Sequence, residues 1–133
     1  MTESENELIP LRKVPLEEYL AICISFFHEI GIETRFEKLD EPCFLPGLSI
    51  RNGIIIIDKE ALSYPGDILH EAGHIAVVPA AERNTLSAAV IEKRDQREAE
   101  EMMAIAWSYA ACKHLGLDPY VVFHDEGYKG GGS

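Results

Sequence analysis

Basic side chains are scarce in this sequence: 12 lysines and arginines stand against 23 aspartates and glutamates, a formal net charge of −11. Proteins grip a phosphate backbone through clustered basic groups, so this balance argues against nucleic acid as a partner. It also disfavours an anionic membrane surface. Cysteine is scarcer still, at Cys23, Cys43 and Cys112. An odd number without C-x-x-C spacing speaks against a disulfide framework and makes a reducing compartment the simpler setting. The longest apolar run falls well short of a membrane span. The opening stretch MTESENELIPLRK is acidic and polar, unlike a secretory signal. These absences together predict a soluble, cytoplasmic protein with no membrane partner.

What is present is enough for a core. Apolar residues make up 47% of the 133-residue chain, too many for a disordered polymer and a suitable supply for one domain. Residues 1–14 are polar and expected to be flexible, residues 15–125 to form the single domain, and the glycine-rich residues 126–133 to be flexible again. PLEEYLAICISFFHEIGI shows helical periodicity, with Leu16, Leu20, Cys23, Phe27 and Ile30 in register, Pro15 suited to a first turn and Gly31 to a C-cap. TRFEKL alternates weakly. LSIRNGIIIID carries two apolar runs around Asn52-Gly53, the strongest short hairpin signal. The β-branched run Ile54–Ile57 predicts a strand packed on both faces, or on one face beside a cleft.

A second helix is expected within SYPGDILHEAGHIAVVP, with start signals at Ser63, Pro65 and Asp67 and a stop at Pro79. AAERNTLSAAVIEK reads as either short helix or strand. DQREAEEMMAIAWSYAACKHLGLDP is the clearest helix. Asp95 is the expected N-cap, Glu98 its capping-box partner, and Gly116 the stop after Lys113 and His114. YVVFH reads as a last short strand. The fold class is α+β, with an N-terminal helix, a small, mainly antiparallel sheet and two further helices.

Histidine is limited to five residues, yet two of them stand four apart around a glutamate, in His70-Glu71-Ala72-Gly73-His74. On a helix, positions i and i+4 share a face, so both imidazoles can present a nitrogen to one Zn²⁺. Glu71 projects about 100° round from His70, beside such a metal, where it can take a proton from bound water. Gly73 lets another element approach closely. Two histidines flanking a solvated helix face would be the bland explanation. The flanking IAVV, which is buried material, and the preceding apolar strand count against it.

A third protein ligand is then required, and the later helix offers Glu98, Glu100 and Glu101. Glu98 has a capping role open to it. Glu101 shares a face with Ala104, Ile105, Ser108 and Cys112, mostly small residues that let two helices meet. Glu101 is therefore the chosen ligand and Glu98 the alternative, the others being a solvated acidic turn.

The apolar strand leading into ILHEAGHIAV and the later EAEEMMAIAWSYAA together resemble the small gluzincins, or minigluzincins, of the ImmA/IrrE-like HExxH zinc metallopeptidases, over roughly residues 45–116. The resemblance implies a zincin-like fold with zinc held by His70, His74 and Glu101 and with Glu71 as catalytic base. The glutamate-alanine context of that group fits Glu98-Ala99 as well. The expected function is hydrolysis of a peptide bond in a peptide or protein substrate. The alternative is a zinc-binding interaction module with weak or no hydrolysis. An extended peptide is expected against an exposed sheet edge, the Gly53–Asp58 strand being the first choice.

An oxyanion donor could come from Tyr64, Tyr109, His114, His124 or Tyr128, although each has a simpler structural or surface explanation. His28 fits the surface or core of the first helix, Trp107 the core, and Cys112 a small buried apolar position.

Overall fold

The computed structural model describes residues 15–40 and 45–119. The expected YVVFH strand, His124 and Tyr128 lie outside them. The first helix, α1 (Leu16–Glu29), buries Tyr19, Leu20, Cys23 and Phe27 along one face. Pro15 sits at its N-cap, one residue before the first turn. Gly31, at φ 87°, ends the helix in the left-handed region that glycine adopts at least cost. The Ile32 N–H then turns back to the Phe27 carbonyl at 2.8 Å. This closure buries Ile32 and leaves Ile30 at the surface.

Three strands follow: β1 (Thr34–Phe36), β2 (Leu48–Arg51) and β3 (Ile54–Ile57). Their order in the sheet is β1-β3-β2, with β3 antiparallel to β2 and parallel to β1. The hairpin forms where Asn52-Gly53 places it, with φ of 54° and 75° at the two turn residues. Positive φ at both matches the twist of the flanking strands. The sheet is therefore mixed, and the expectation of a mainly antiparallel one is corrected. The cause lies in β3. Ile55, Ile56 and Ile57 are all buried, so this strand needs cover on both faces and takes the central place. Both edges of β3 are thus filled, which removes the Gly53–Asp58 strand as a docking edge; the outer strands are β1 and β2.

The segment after β3 turns through Pro65 and Gly66 into α2 (Asp67–Ala76). Ser63 does not cap it; its hydroxyl faces the Ala61 carbonyl. Val77 closes the helix and Pro79 follows, as the sequence suggests. A 3-10 turn (Ala80–Thr85) and a one-turn helix, α3 (Ala88–Glu92), make up the segment that the sequence left open. Arg83 in that turn donates to the carbonyls of Val78 and Ala76, both at 2.9 Å. It thereby satisfies acceptors left over at the C-terminus of α2.

The last described helix, α4 (Arg97–Leu115), stops at Gly116 with φ 73°. Its start differs from expectation. Gln96 is the N-cap, no side chain caps it, and Glu98 is exposed, so the Asp95–Glu98 capping box does not form. Among the described residues, no helix is long and apolar enough to cross a membrane.

Gly53 answers two demands at once. Its φ is positive, and a Cβ there would run into the Arg83 carbonyl. Its own N–H bonds the Leu86 carbonyl at 2.9 Å, tying the hairpin to the segment after α2. Gly53→Ala should cost about 2 kcal/mol or more, combining a left-handed alanine with overpacking. Urea unfolding should show a lower midpoint with an unchanged slope.

Candidate metal centre

Helix α2 carries two faces of different character. Ile68, Leu69, Ala72 and Ile75 are buried in the core. Asp67, His70, Glu71 and His74 recur at helical spacing on the other side, and the two histidines reach Glu101 of α4. The two imidazole rings are stacked, with centroids 5.0 Å apart and planes 22° from parallel. One carboxylate bridges them. His70 Nε2 lies 3.1 Å from Glu101 Oε2, and His74 Nε2 lies 3.0 Å from Glu101 Oε1.

The approach of α4 that makes this possible depends on Gly73. A Cβ built there would stand 2.8 Å from the Ala104 carbonyl oxygen and 3.2 Å from the Ala104 Cα. Only hydrogen fits between the two backbones. Ala104, Ser108, Ala111 and Cys112 are the buried residues of α4. Each is small, and Glu101 stands one turn before Ala104 on the same side.

The structure therefore sorts the three candidate glutamates. Glu101 meets the histidines. Glu100 forms a two-pronged ion pair with Arg94, at 2.7 and 3.0 Å. Arg94 also reaches Glu82 at 3.0 Å and so fastens the 3-10 turn to the start of α4. Glu98 faces solvent.

The electrostatics follow from this geometry. The hydrogen bond from His70, then that from His74, hold the Glu101 carboxyl far below the usual carboxylate range. For His74, burial works against protonation, but Glu101's hydrogen bond and the nearby Glu71 charge outweigh it, and the proton is held more tightly than usual. For Glu71, burial raises the carboxyl's pKa, and the neighbouring His74 and His70 oppose that rise only in part. Part of Glu71's surface still reaches solvent. An ionised carboxylate accepts and does not donate, so both Nε2 atoms carry hydrogen when they bond Glu101.

This donor set fits a divalent cation. One ligand atom each from His70, His74 and Glu101 lies within 4.8 Å of the others. Ligands 2.0–2.1 Å from a tetrahedral zinc lie roughly 3.3 Å apart, near the two nitrogen–oxygen distances found here. Two imidazoles and one carboxylate suit zinc chemically and leave a fourth position for water.

The other sequence candidates lie elsewhere. Tyr109 is two turns on from Glu101, roughly 12 Å along the helix, and His114 roughly 20 Å. The His114 ring packs instead on Phe26, 5.5 Å between centroids. Trp107 stacks on the same Phe26 at 6.1 Å, on the border of the core. His28 lies exposed at the end of α1. Tyr64 offers its carbonyl to the Asp67 N–H as α2 begins. Cys23 and Cys112 are both free and buried, and burial pushes each thiol up to about 12.

Sequence reasoning missed Asp67 as part of this region. It reads as a helix-start residue, yet it is 2% exposed on the histidine face of α2. Its spacing of three before His70 and seven before His74 was the available signal. No protein family, curated protein or solved structure matches this chain, so the case for the site rests on its geometry.

Gly73→Ala should push the helices apart. Helix propensity returns about 1 kcal/mol, against an overpacking cost of about 1–3 kcal/mol, so a net loss is expected. A thermal melt should show it. The Glu101 carboxylate should also withdraw from the imidazoles, detectable as altered histidine ring signals in NMR.

Proposed function

We propose that this protein is a zinc-dependent peptidase, zincin-like in type and akin to the small gluzincins, acting on peptide bonds in the cytoplasm. The observation that carries this reading is the convergence of two imidazole nitrogens on the two oxygens of one carboxylate, with a proton-hungry glutamate adjoining the first histidine. His70, His74 and Glu101 would hold the metal, the histidines giving up the Nε2 protons they now share with Glu101. Bound there, Zn²⁺ would polarise the scissile carbonyl and lower the pKa of a coordinated water to about 7.

Glu71 supplies what the metal ligands cannot. All three ligand side chains are committed, whereas Glu71 is free to take a proton and pass it to the leaving amine. Burial raises its pKa, and a base works best when its pKa approaches the working pH. Gly73 and Ala104 hold the two ligand-bearing helices at fixed separation, so the base and the ligands keep one geometry. An extended peptide would add to β1, because the outer edge of β2 already pairs with Ser87 at Arg51.

Purified protein should carry close to one zinc per chain by elemental analysis. Glu101→Ala should weaken zinc binding about tenfold or more in competition with a chelator, since losses of that size follow even from removing groups behind the ligands. Glu98→Ala should leave both zinc affinity and stability nearly unchanged, because Glu98 neither caps α4 nor meets the histidines. Protein that stays metal-free in zinc-replete medium and gains no stability from added zinc would remove the site.

Glu71→Gln keeps the size of the side chain and loses the base. It should retain zinc while cleavage in a peptide library falls about 10²-fold or more. Loss of metal with retained cleavage would show that Glu71 has a different role. Zinc-loaded wild-type protein that cleaves no peptide would favour an interaction module instead.

A further inference from the structure

The hairpin tip holds the one asparagine–glycine step in the chain. Arg51 pairs with Ile54, so Asn52 and Gly53 are the whole of the turn, and Asn52 is exposed. A side-chain amide in that setting can be attacked from within. The glycine backbone nitrogen, after giving its proton to hydroxide, adds to the asparagine Cγ, and no side chain on the glycine hinders the approach. A C–N bond forms, the side-chain nitrogen leaves as ammonia, and a five-membered succinimide remains. Water then opens the ring at either of its two C–N bonds. One opening gives aspartate and restores the main chain; the other gives isoaspartate. Water is the co-reactant, and nothing is oxidised or reduced.

The folded turn opposes the first step in two ways. Asn52 is left-handed, at φ 54°. In that region ψ is about +47°, which puts the following nitrogen across the Cα–C bond from Cβ, whereas ring closure needs the two on one side. The Gly53 N–H is also donated to the Leu86 carbonyl at 2.9 Å, which keeps the proton on the attacking nitrogen. The tip cannot swing while it is docked. Arg51 bridges Ser87, and Gly53 fits so closely on the Arg83 carbonyl that a Cβ would collide with it.

We propose that Asn52-Gly53 is a site of spontaneous deamidation, gated by undocking of the hairpin tip from residues 83–87. Its isoaspartate product does not fit the docked turn. The Asn52 Cβ enters the main chain, the turn lengthens by one atom, and the pairing of Arg51 with Ile54 is lost. The displaced tip then disturbs the segment carrying Arg83, whose guanidinium holds the Ala76 and Val78 carbonyls at the end of α2. A modification at the hairpin is thereby passed to the helix that carries His74. The inference concerns the hairpin and stands whether or not the histidine site binds metal.

The full chain, folded and in urea, can be held in mildly alkaline buffer and followed by peptide mapping that separates asparagine, aspartate and isoaspartate. Conversion at position 52 should be about tenfold slower or more in the folded chain, since a reaction that needs local opening proceeds only in the open fraction. Arg83→Ala loosens the segment under the tip. It should speed conversion in the folded chain and leave the rate in urea unchanged. Asn52→Gly removes the amide and keeps a turn that accepts positive φ, so its melting temperature should survive an incubation that lowers that of the wild-type chain. Equal rates in the folded and unfolded chains overturn the gate. An asparagine that persists at position 52 in both overturns the site. Folded Arg83→Ala that converts no faster than wild type overturns docking as the control.

Discussion

The contact on which most of this structure depends is the crossing of two helix backbones at Gly73 and Ala104. With a hydrogen in place of a side chain at position 73, nothing larger than an alanine needs to be accommodated between α2 and α4. Close approach of this kind adds little apolar area, and it sets a distance. That distance decides whether a carboxylate on one helix can span two imidazoles on the other. Lengthening it by the width of a methyl group would leave Glu101 short of at least one ring.

Other contacts serve the same separation from outside. Arg94 links Glu100 on α4 to Glu82 in the 3-10 turn, and Arg83 in that turn holds the last carbonyls of α2. The helix with the two histidines and the helix with Glu101 are thus connected at their ends by charge and in their middles by bare backbone. The sheet lies behind α2 and supplies the apolar support, with Ile55 and Ile57 in the same core as Leu69 and Ile75.

What could be read from the sequence was what neighbouring residues decide among themselves. Asn52-Gly53 specifies its hairpin, Gly116 its helix end, and the spacing of His70 and His74 a shared face. That Glu101 and not Glu98 meets the histidines was also readable from local pattern, since the small residues on its face pointed toward a close helix. Features set by distant parts of the chain were not legible. Nothing in Thr34–Phe36 says that β3 will insert beside it in parallel. Arg94 and Arg83 look like ordinary surface charges until their carboxylate and carbonyl acceptors are brought to them. The capping box failed for the same reason: the bidentate pull of Arg94 on Glu100 organises the start of α4 without Asp95.

The bridging carboxylate of Glu101 has a consequence for how a cation would be received. Because it already draws both imidazole rings inward, the three donors are immobilised before any ion arrives, and the rotamer freedom that a loose site must surrender has been given up during folding. The core that holds them is made of Phe27, Leu48, Leu69 and their neighbours, not of metal bonds. Such a scaffold would stand with or without an ion, in contrast to small zinc modules whose chains collapse only around the metal. A cation bound there would sit on a seat that the fold has already built, and its removal would leave the fold in place.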